Sequence, residues 1–306
     1  RQSGVPVHFR KGEAIPTDYK IRNIFYTVNG LSKYFFVHEN GTEKVEGLAE
    51  LGEIQVIARE EGSGTREAFA QMVGLEADGA ENANADQTRE DARIADSGEA
   101  VTEEIAQTQN GIGYVSAAAA EEDGVKVLQI EGVSPGEEAV EKGDYPLSRS
   151  FYLVYSGTLS DLDQDFVNYI NTAGQEVVAR SYVPVKEAGT FLANKEPGKI
   201  HLTGSTSIAP LIEELVEGYN EYNPNAQIEV TETDSTQGLN AAMQGKCDLA
   251  MSSRELESYE KELLEYEAFA KDGIAVIVNK ENPLENLSLE QLKEIFDGSL
   301  KNWDEL

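Results

Sequence analysis

Four times along this chain a strand-like run ends in a turn crowded with serine, threonine and glycine, and that repeated junction constrains the fold more than any other feature. The turns are Ser63-Gly64-Thr65, Ser205-Thr206-Ser207, Ser235-Thr236-Gln237-Gly238 and Ser252-Ser253. Apolar residues at helical spacing follow three of them: Phe69, Met72 and Val73 after the first, Leu211, Ile212, Leu215, Val216 and Tyr219 after the second, Leu239 and Met243 after the third. Strand, polar turn and helix in repeated succession predict a mixed α/β fold. In α/β sheets such turns lie at the carboxyl ends of the strands, where ligands bind.

The chemistry of these turns points to an anion. Free N–H groups and the positive dipole end at a helix start receive negative charge. The hydroxyls add donors, and Gly64 and Gly238 let backbone approach a ligand closely. Arg59, four residues before Ser63, brings a full positive charge on a planar fork suited to an oxyanion. Taken singly, each turn also fits a helix N-cap, where Ser and Thr are preferred, and Arg59 also fits a surface residue paired with Glu60 or Glu61. Four turns together argue for a site.

Other classes of function are disfavoured. With 56 acidic and 25 basic residues the formal charge is -31, which repels nucleic acid and anionic membrane surfaces. A small anion is not excluded, because distant surface charge is screened over roughly 8 Å and local donors decide. Cys247 is the single cysteine, and His8, His38 and His201 have no metal-ligand spacing, so neither an internal disulfide, a metal nor another cofactor is expected. No nucleophile elbow, catalytic triad or nucleotide-binding loop is present. Binding without catalysis is the simpler expectation.

At 306 residues the chain exceeds a usual single domain of ~100–150 residues. Residues 21–46 read as three short strands broken by the hairpin signals Asn29-Gly30 and Asn40-Gly41. Residues 76–105 are rich in Ala, Asp, Glu and Asn, which predicts an exposed helix-loop excursion. Residues 186–199 (KEAGTFLANKEPGK) read as a linker. No run approaches the ~20 apolar residues of a membrane span.

The phrases IQVIAREEGSGTREAF (54–69), GIGYVSAAA (111–119), GDYPLSRSFYLVY (143–155), LTGSTSIAPLIEEL (202–215), DSTQGLNAA (234–242), CDLAMSSREL (247–256), DGIAVIVNKENP (272–283) and LEQLKEIFDGSLKNWDEL (289–306) together resemble the phosphate-binding proteins of Pst-type ABC importers. The resemblance implies a two-lobed periplasmic-binding-protein fold of cluster II, closing on inorganic phosphate. It places the anion contacts on Arg59, Ser63, Gly64, Thr65, Thr206, Ser207, Ser235 and Ser253. It also implies an importer permease as partner and an extracellular, cell-surface or periplasmic location, with a lipid anchor in the full-length precursor. The alternative is an oxyanion-sensing or adhesion module on the cell surface without transport.

Two departures from the family pattern stand out. The family begins at the GSTS turn and reaches REEGSGT later, whereas here REEGSGT comes first, so the order resembles a circular permutation in which the linker joins old ends near Val185 and Lys199. A piece of a tandem protein, or halves exchanged between two molecules, would give the same order. At Ser253 many family members carry an aspartate that accepts the proton of hydrogen phosphate, and Asp234 is the candidate for an acceptor in its place. The expected organisation is a β-rich extension over 1–52, one lobe from 53–116 with 280–306, and the other from 117–279. Hinges are expected near Tyr114–Ser116 and Val278–Asn279.

Overall fold

Fifteen residues, Glu265–Asn279, form one strand that organises the whole molecule in the computed structural model. The structure describes residues 47–76, 86–120 and 123–306, together with the backbone of three strands nearer the amino terminus. Strands of globular proteins usually run 3–10 residues. The excess length has a reason: the first part of Glu265–Asn279 pairs antiparallel with Ser148–Tyr155, and the second pairs with Gly111–Ser116 and Val125–Val127. The register passes from Gly273↔Ser148 to Ile274↔Ser116, so the strand leaves one half of the sheet and enters the other at 273/274.

Through this strand a ten-stranded sheet runs continuously, eight of its strands in the order Ala226–Thr233, Gly198–Ser205, Leu249–Ser252, Ser148–Tyr155, Glu265–Asn279, Gly111–Ser116, Gln55–Arg59, Arg93–Ala95, while Val125–Val127 and Val183–Pro184 pair with the long strand beside this path. Gly198–Ser205 is parallel to both of its neighbours, and Gln55–Arg59 is parallel to both of its own. Parallel neighbours need crossover connections, which the helices Ala209–Tyr222, Ser235–Met243 and Gly98–Gln107 supply. The mixed α/β expectation is therefore met.

Two large apolar cores divide the chain. One gathers Phe69, Tyr114, Tyr145, Leu147, Phe296 and Trp303, with Phe69 stacked on Tyr114 at 4.0 Å between ring centroids. The other gathers Phe151, Phe166, Ile212, Tyr219 and Phe269. Trp303 Nε1 donates to Asn110 O at 3.0 Å and Ile54 N to Lys301 O at 2.8 Å, which ties the carboxyl-terminal turn to the strand before Arg59.

The expected lobe boundaries at 116/117 and 279/280 are displaced. Leu128, Ile130, Val140, Tyr145 and Leu147 join the core of Phe69 and Trp303, because Val125–Val127 pairs with the far half of the long strand. Grouped by these cores, residues 47–147 and 274–306 make the first lobe and 148–273 the second, with Val183 of the second reaching into the first core. The chain crosses between them at Leu147–Arg149 and Asp272–Ile274, not at Tyr114–Ser116 and Val278–Asn279.

Residues 93–107 are not an exposed excursion. Helix Gly98–Gln107 is capped by Ser97 and buries Val101 and Ile105 completely, small neighbours allowing it to sit close on the sheet. Residues 77–85 of that stretch lie outside the described residues. Residues 185–197 form no helix or strand before Gly198–Ser205 begins, and Asn194 pins them to Asp161 and Asp165 of the second lobe.

Toward the amino terminus, Asn23–Val28, Leu31–Val37 and Glu43–Val45 form a separate antiparallel sheet. The register Val28↔Leu31 leaves two residues between the first two strands, as a hairpin demands. The expected turns at Asn29-Gly30 and Asn40-Gly41 themselves lie outside the described residues. The end of the expected extension belongs to the first lobe, since Leu48 of helix Leu48–Leu51 is buried in its core.

Candidate anion-binding cleft

The strand ends and helix starts of both lobes meet in one place. In the first lobe Gln55–Arg59 runs into a turn at Gly62, whose φ of 86° suits glycine, and Ser63 then caps helix Gly64–Val73 by accepting from Arg66 N at 3.4 Å. In the second lobe Gly198–Ser205 leads through Thr206 and Ser207 to helix Ala209–Tyr222. Ala226–Thr233 leads through the N-cap Asp234 to helix Ser235–Met243, and Leu249–Ser252 leads to Ser253. Three helix N-termini, each with free N–H groups, face the junction of the lobes.

Arg59 is 1 % exposed at the centre of this junction. Its Nε and Nη2 each donate to the Glu60 carboxylate at 2.8 Å, and Nη2 also donates to Thr206 Oγ1 across the cleft at 2.9 Å. Nη1 is buried without a hydrogen-bond partner among the described residues. Arg59 pairs with Glu60, as one reading of the sequence held, but it is buried and not a surface residue.

The other hydroxyls cluster around it. Thr65 Oγ1 lies 2.7 Å from Ser207 Oγ across the cleft. Ser205 Oγ donates to Ser253 Oγ at 2.8 Å, and Ser253 N donates to Ser235 Oγ at 3.1 Å. Gly64 faces that pair so closely that a Cβ there would lie 2.2 Å from Ser235 Oγ and 2.7 Å from Ser253 Oγ. Arg59, Gly64, Thr65, Thr206, Ser207, Ser235 and Ser253 thus converge, while Ser63 stands one step behind as a buried cap. Gly238 has a different task from the one expected: its missing Cβ leaves room for Gly204 Cα, at 2.7 Å from where a Cβ would stand, so it seats helix against strand.

Several participants were not singled out in the sequence. Arg149 and Asp272 form a buried ion pair, with Nε and Nη2 donating to Oδ2 at 3.0 and 2.8 Å, and Ser116 Oγ donates to Oδ1 at 3.0 Å. Arg149 Nη1 continues to Thr65 Oγ1 at 2.8 Å and Ser253 O at 3.3 Å. Burial pulls the Arg149 guanidinium down and pushes the Asp272 carboxyl up, in spite of their contact. At the cleft edge Thr236 Oγ1 donates to Glu67 at 3.0 Å, Arg254 pairs with Glu67 of the other lobe, and Arg254 also pairs with Glu260 of its own at 2.8 Å. The only signal for the first pair was a charged residue opening each of two apolar strand runs.

No group of three or more metal-ligating side chains occurs among the described residues. No helix among them is long and apolar enough to cross a membrane. A model of the PBP superfamily domain matches residues 42–173 and 192–306. The phosphate-binding protein PstS 2 of Streptococcus pneumoniae serotype 4 is 37% identical over 281 residues, covering 90% of this chain and 96% of that protein. The chain belongs to the PBP superfamily and to its PstS family.

PstS 2 of Streptococcus agalactiae serotype V is 34% identical over 259 residues, covering 83% and 88% of the two chains. The crystal structure of a phosphate-binding protein of a phosphate ABC transporter from Streptococcus pneumoniae superposes with a TM-score of 0.70 at 38% identity, over 83% of this chain and 99% of that one. The two-lobed fold expected from the sequence is thus the family's. Alignments of this extent carry the Arg59 segment and the Ser205 segment in one order, so the order is shared with these relatives and is not a rearrangement peculiar to this chain. In this structure both walls of the cleft come from one chain.

Proposed function

We propose that this protein captures inorganic phosphate between its two lobes, on the extracytoplasmic side of a membrane, and delivers it to the permease of an ABC importer. The observation that carries this reading is the buried Arg59, whose Nη1 has no hydrogen-bond partner among the described residues while its Nη2 reaches Thr206 of the other lobe, beside a second hydroxyl contact between the lobes at Thr65 and Ser207. A guanidinium and hydroxyl donors at helix N-termini complement a tetrahedral oxyanion without any metal. The names of its relatives, phosphate-binding proteins and a phosphate transporter component, agree with this chemistry. The contacts fall on Arg59, Gly64, Thr65, Thr206, Ser207, Ser235 and Ser253, with Ser63 supporting the helix start.

Because the donors lie on both lobes, a bound ion favours the closed arrangement by its differential affinity for it. The strands crossing at Leu147–Arg149 and Asp272–Ile274 serve as the hinge. Selectivity rests on the proton that hydrogen phosphate carries and sulfate lacks. Ser253 Oγ accepts from Ser205 and, when it donates its own proton to Ser235 Oγ at 3.4 Å, has a second lone pair for the proton of hydrogen phosphate. Asp234 is spent elsewhere: its Oδ1 accepts from Gln237 N at 2.6 Å and its Oδ2 from the Gln237 side chain. Without a carboxylate to repel sulfate, the preference for phosphate is expected to be modest.

The test is calorimetric titration of phosphate-stripped protein with phosphate, then sulfate and molybdate, at one ionic strength. Binding of phosphate near one ion per chain, with sulfate weaker but measurable, is the expected result. Failure of all three anions to bind would remove the reading.

A further inference from the structure

Arg149 lies directly opposite Asp272 in the sheet register, on the two strands that cross between the lobes. Their side chains are each 2% exposed. Such pairs are often replaceable by apolar groups without loss of stability, so stability alone does not account for one here. Asp272 engages Nε and Nη2 and leaves Nη1 aimed forward at Thr65 Oγ1 and the Ser253 carbonyl, one on each lobe.

We propose that Arg149 is a positioning residue of the anion site, which acts through Thr65 and not by touching the ion. A guanidinium only donates, so at 2.8 Å it fills one lone pair of the Thr65 oxygen. Its charge turns the single Thr65 proton away from itself and toward the cleft, where Ser207 Oγ stands at 2.7 Å. Thr65 is thereby committed as a donor, with a positive charge behind it. Asp272, fixed by Ser116, holds the fork so that Nη1 keeps this direction. The site then contains a second cation one hydroxyl removed from the anion, beside the direct one at Arg59.

This assignment rests on the proposed phosphate site, and a double-mutant cycle separates the two. Phosphate affinity is measured for the wild type, Thr65→Val, Arg149→Gln and the double variant. Thr65→Val is expected to weaken binding by about 10-fold or more in the wild-type background, the scale of a hydrogen bond to a charged group, but by less than about 3-fold once Arg149 is gone. Equal factors in both backgrounds would mean that Arg149 is only a structural strut. Should Arg149→Gln fail to fold because Asp272 is left unpaired, Arg149→Gln with Asp272→Asn removes both charges and replaces it as the background. A wild type that takes no phosphate overturns the site and this assignment together; a wild type that binds with an additive cycle overturns this assignment alone.

Discussion

Replacing Gly64 by alanine should hinder closure while leaving the fold intact. A Cβ at this position would stand 2.2 Å from Ser235 Oγ, 2.7 Å from Ser253 Oγ and 2.9 Å from Ser235 Cβ. Rotating Ser235 relieves the first contact but breaks its bond from Ser253 N, and the 2.9 Å approach to its Cβ remains. With Ser235 held in its present rotamer by that bond, reaching ordinary contact at 3.4 Å requires the lobes to part by about 1.2 Å at this point. The same shift would carry Thr65 and Ser207 from 2.7 Å to about 3.9 Å, beyond hydrogen bonding. Overpacking of this kind costs about 1–3 kcal/mol. Since 1.4 kcal/mol is a factor of ten, phosphate binding should weaken by roughly 5- to 150-fold. In the anion-free protein the effect reverses, because Gly64 has no positive φ and alanine is worth ~0.5–1 kcal/mol more than glycine in a helix. Calorimetric titration and thermal unfolding without phosphate measure the two halves of the prediction. Wild-type affinity in Gly64→Ala would refute the close approach on which the site is built.

Arg59→Ala removes the cation at the centre of the cleft and should cost about 2–5 kcal/mol of phosphate binding, read by the same titration. Gly204→Ala should instead damage the fold: at φ 138° a Cβ would lie 2.3 Å from Met251 O, and urea unfolding should show a loss of about 2–4 kcal/mol. Asp234→Asn should leave the ratio of phosphate to sulfate affinity unchanged, because asparagine caps a helix as well and the carboxylate is not free to face the ion. Acid should weaken the first lobe through Asp86. Burial works against its charge, yet hydrogen bonds from Arg66 and Thr88 hold its carboxyl below the ordinary aspartate range. A depressed value means stabilisation present above about pH 4 and lost as pH falls through the folded-state value, so Asp86→Asn should flatten the acid limb of a stability-versus-pH curve.

The strand-turn-helix units were legible because each changes period at a polar turn. Ser63, Thr206, Ser235 and Ser253 could be read as parts of one site because strand ends of an α/β sheet share a face. What local pattern could not give was pairing. Arg149 and Asp272 are 123 residues apart, and only the sheet register sets them opposite one another. That the first core extends past residue 116 was hidden for the same reason, since the short strand Val125–Val127 shows no sign of which half of the long strand it joins. The burial of helix Gly98–Gln107 was not anticipated because Thr and a single Val and Ile suffice to fill a shallow contact. Gly238 was assigned to the ligand because a glycine at a helix start suits either backbone or ion, and only packing shows which.

The contacts across the cleft also explain how the lobes part. Arg254 is shared between Glu260 on its own lobe and Glu67 on the other, and it is shared unequally. Glu260 is buried, but two guanidinium bonds and the N–H of Glu257 hold its carboxyl low, whereas burial pushes the Glu67 carboxyl up despite the same guanidinium. On opening, Glu67 regains water and Arg254 keeps Glu260, so no uncompensated buried charge is left behind. The expensive outcome of breaking a buried ion pair is thereby avoided. Arg59 is protected in the same way by Glu60, which moves with it on the first lobe. Each cleft arginine that crosses to the opposite lobe by a single polar contact thus retains a carboxylate on its own. On the proposed reading, an anion contacted from both sides then decides the closed state.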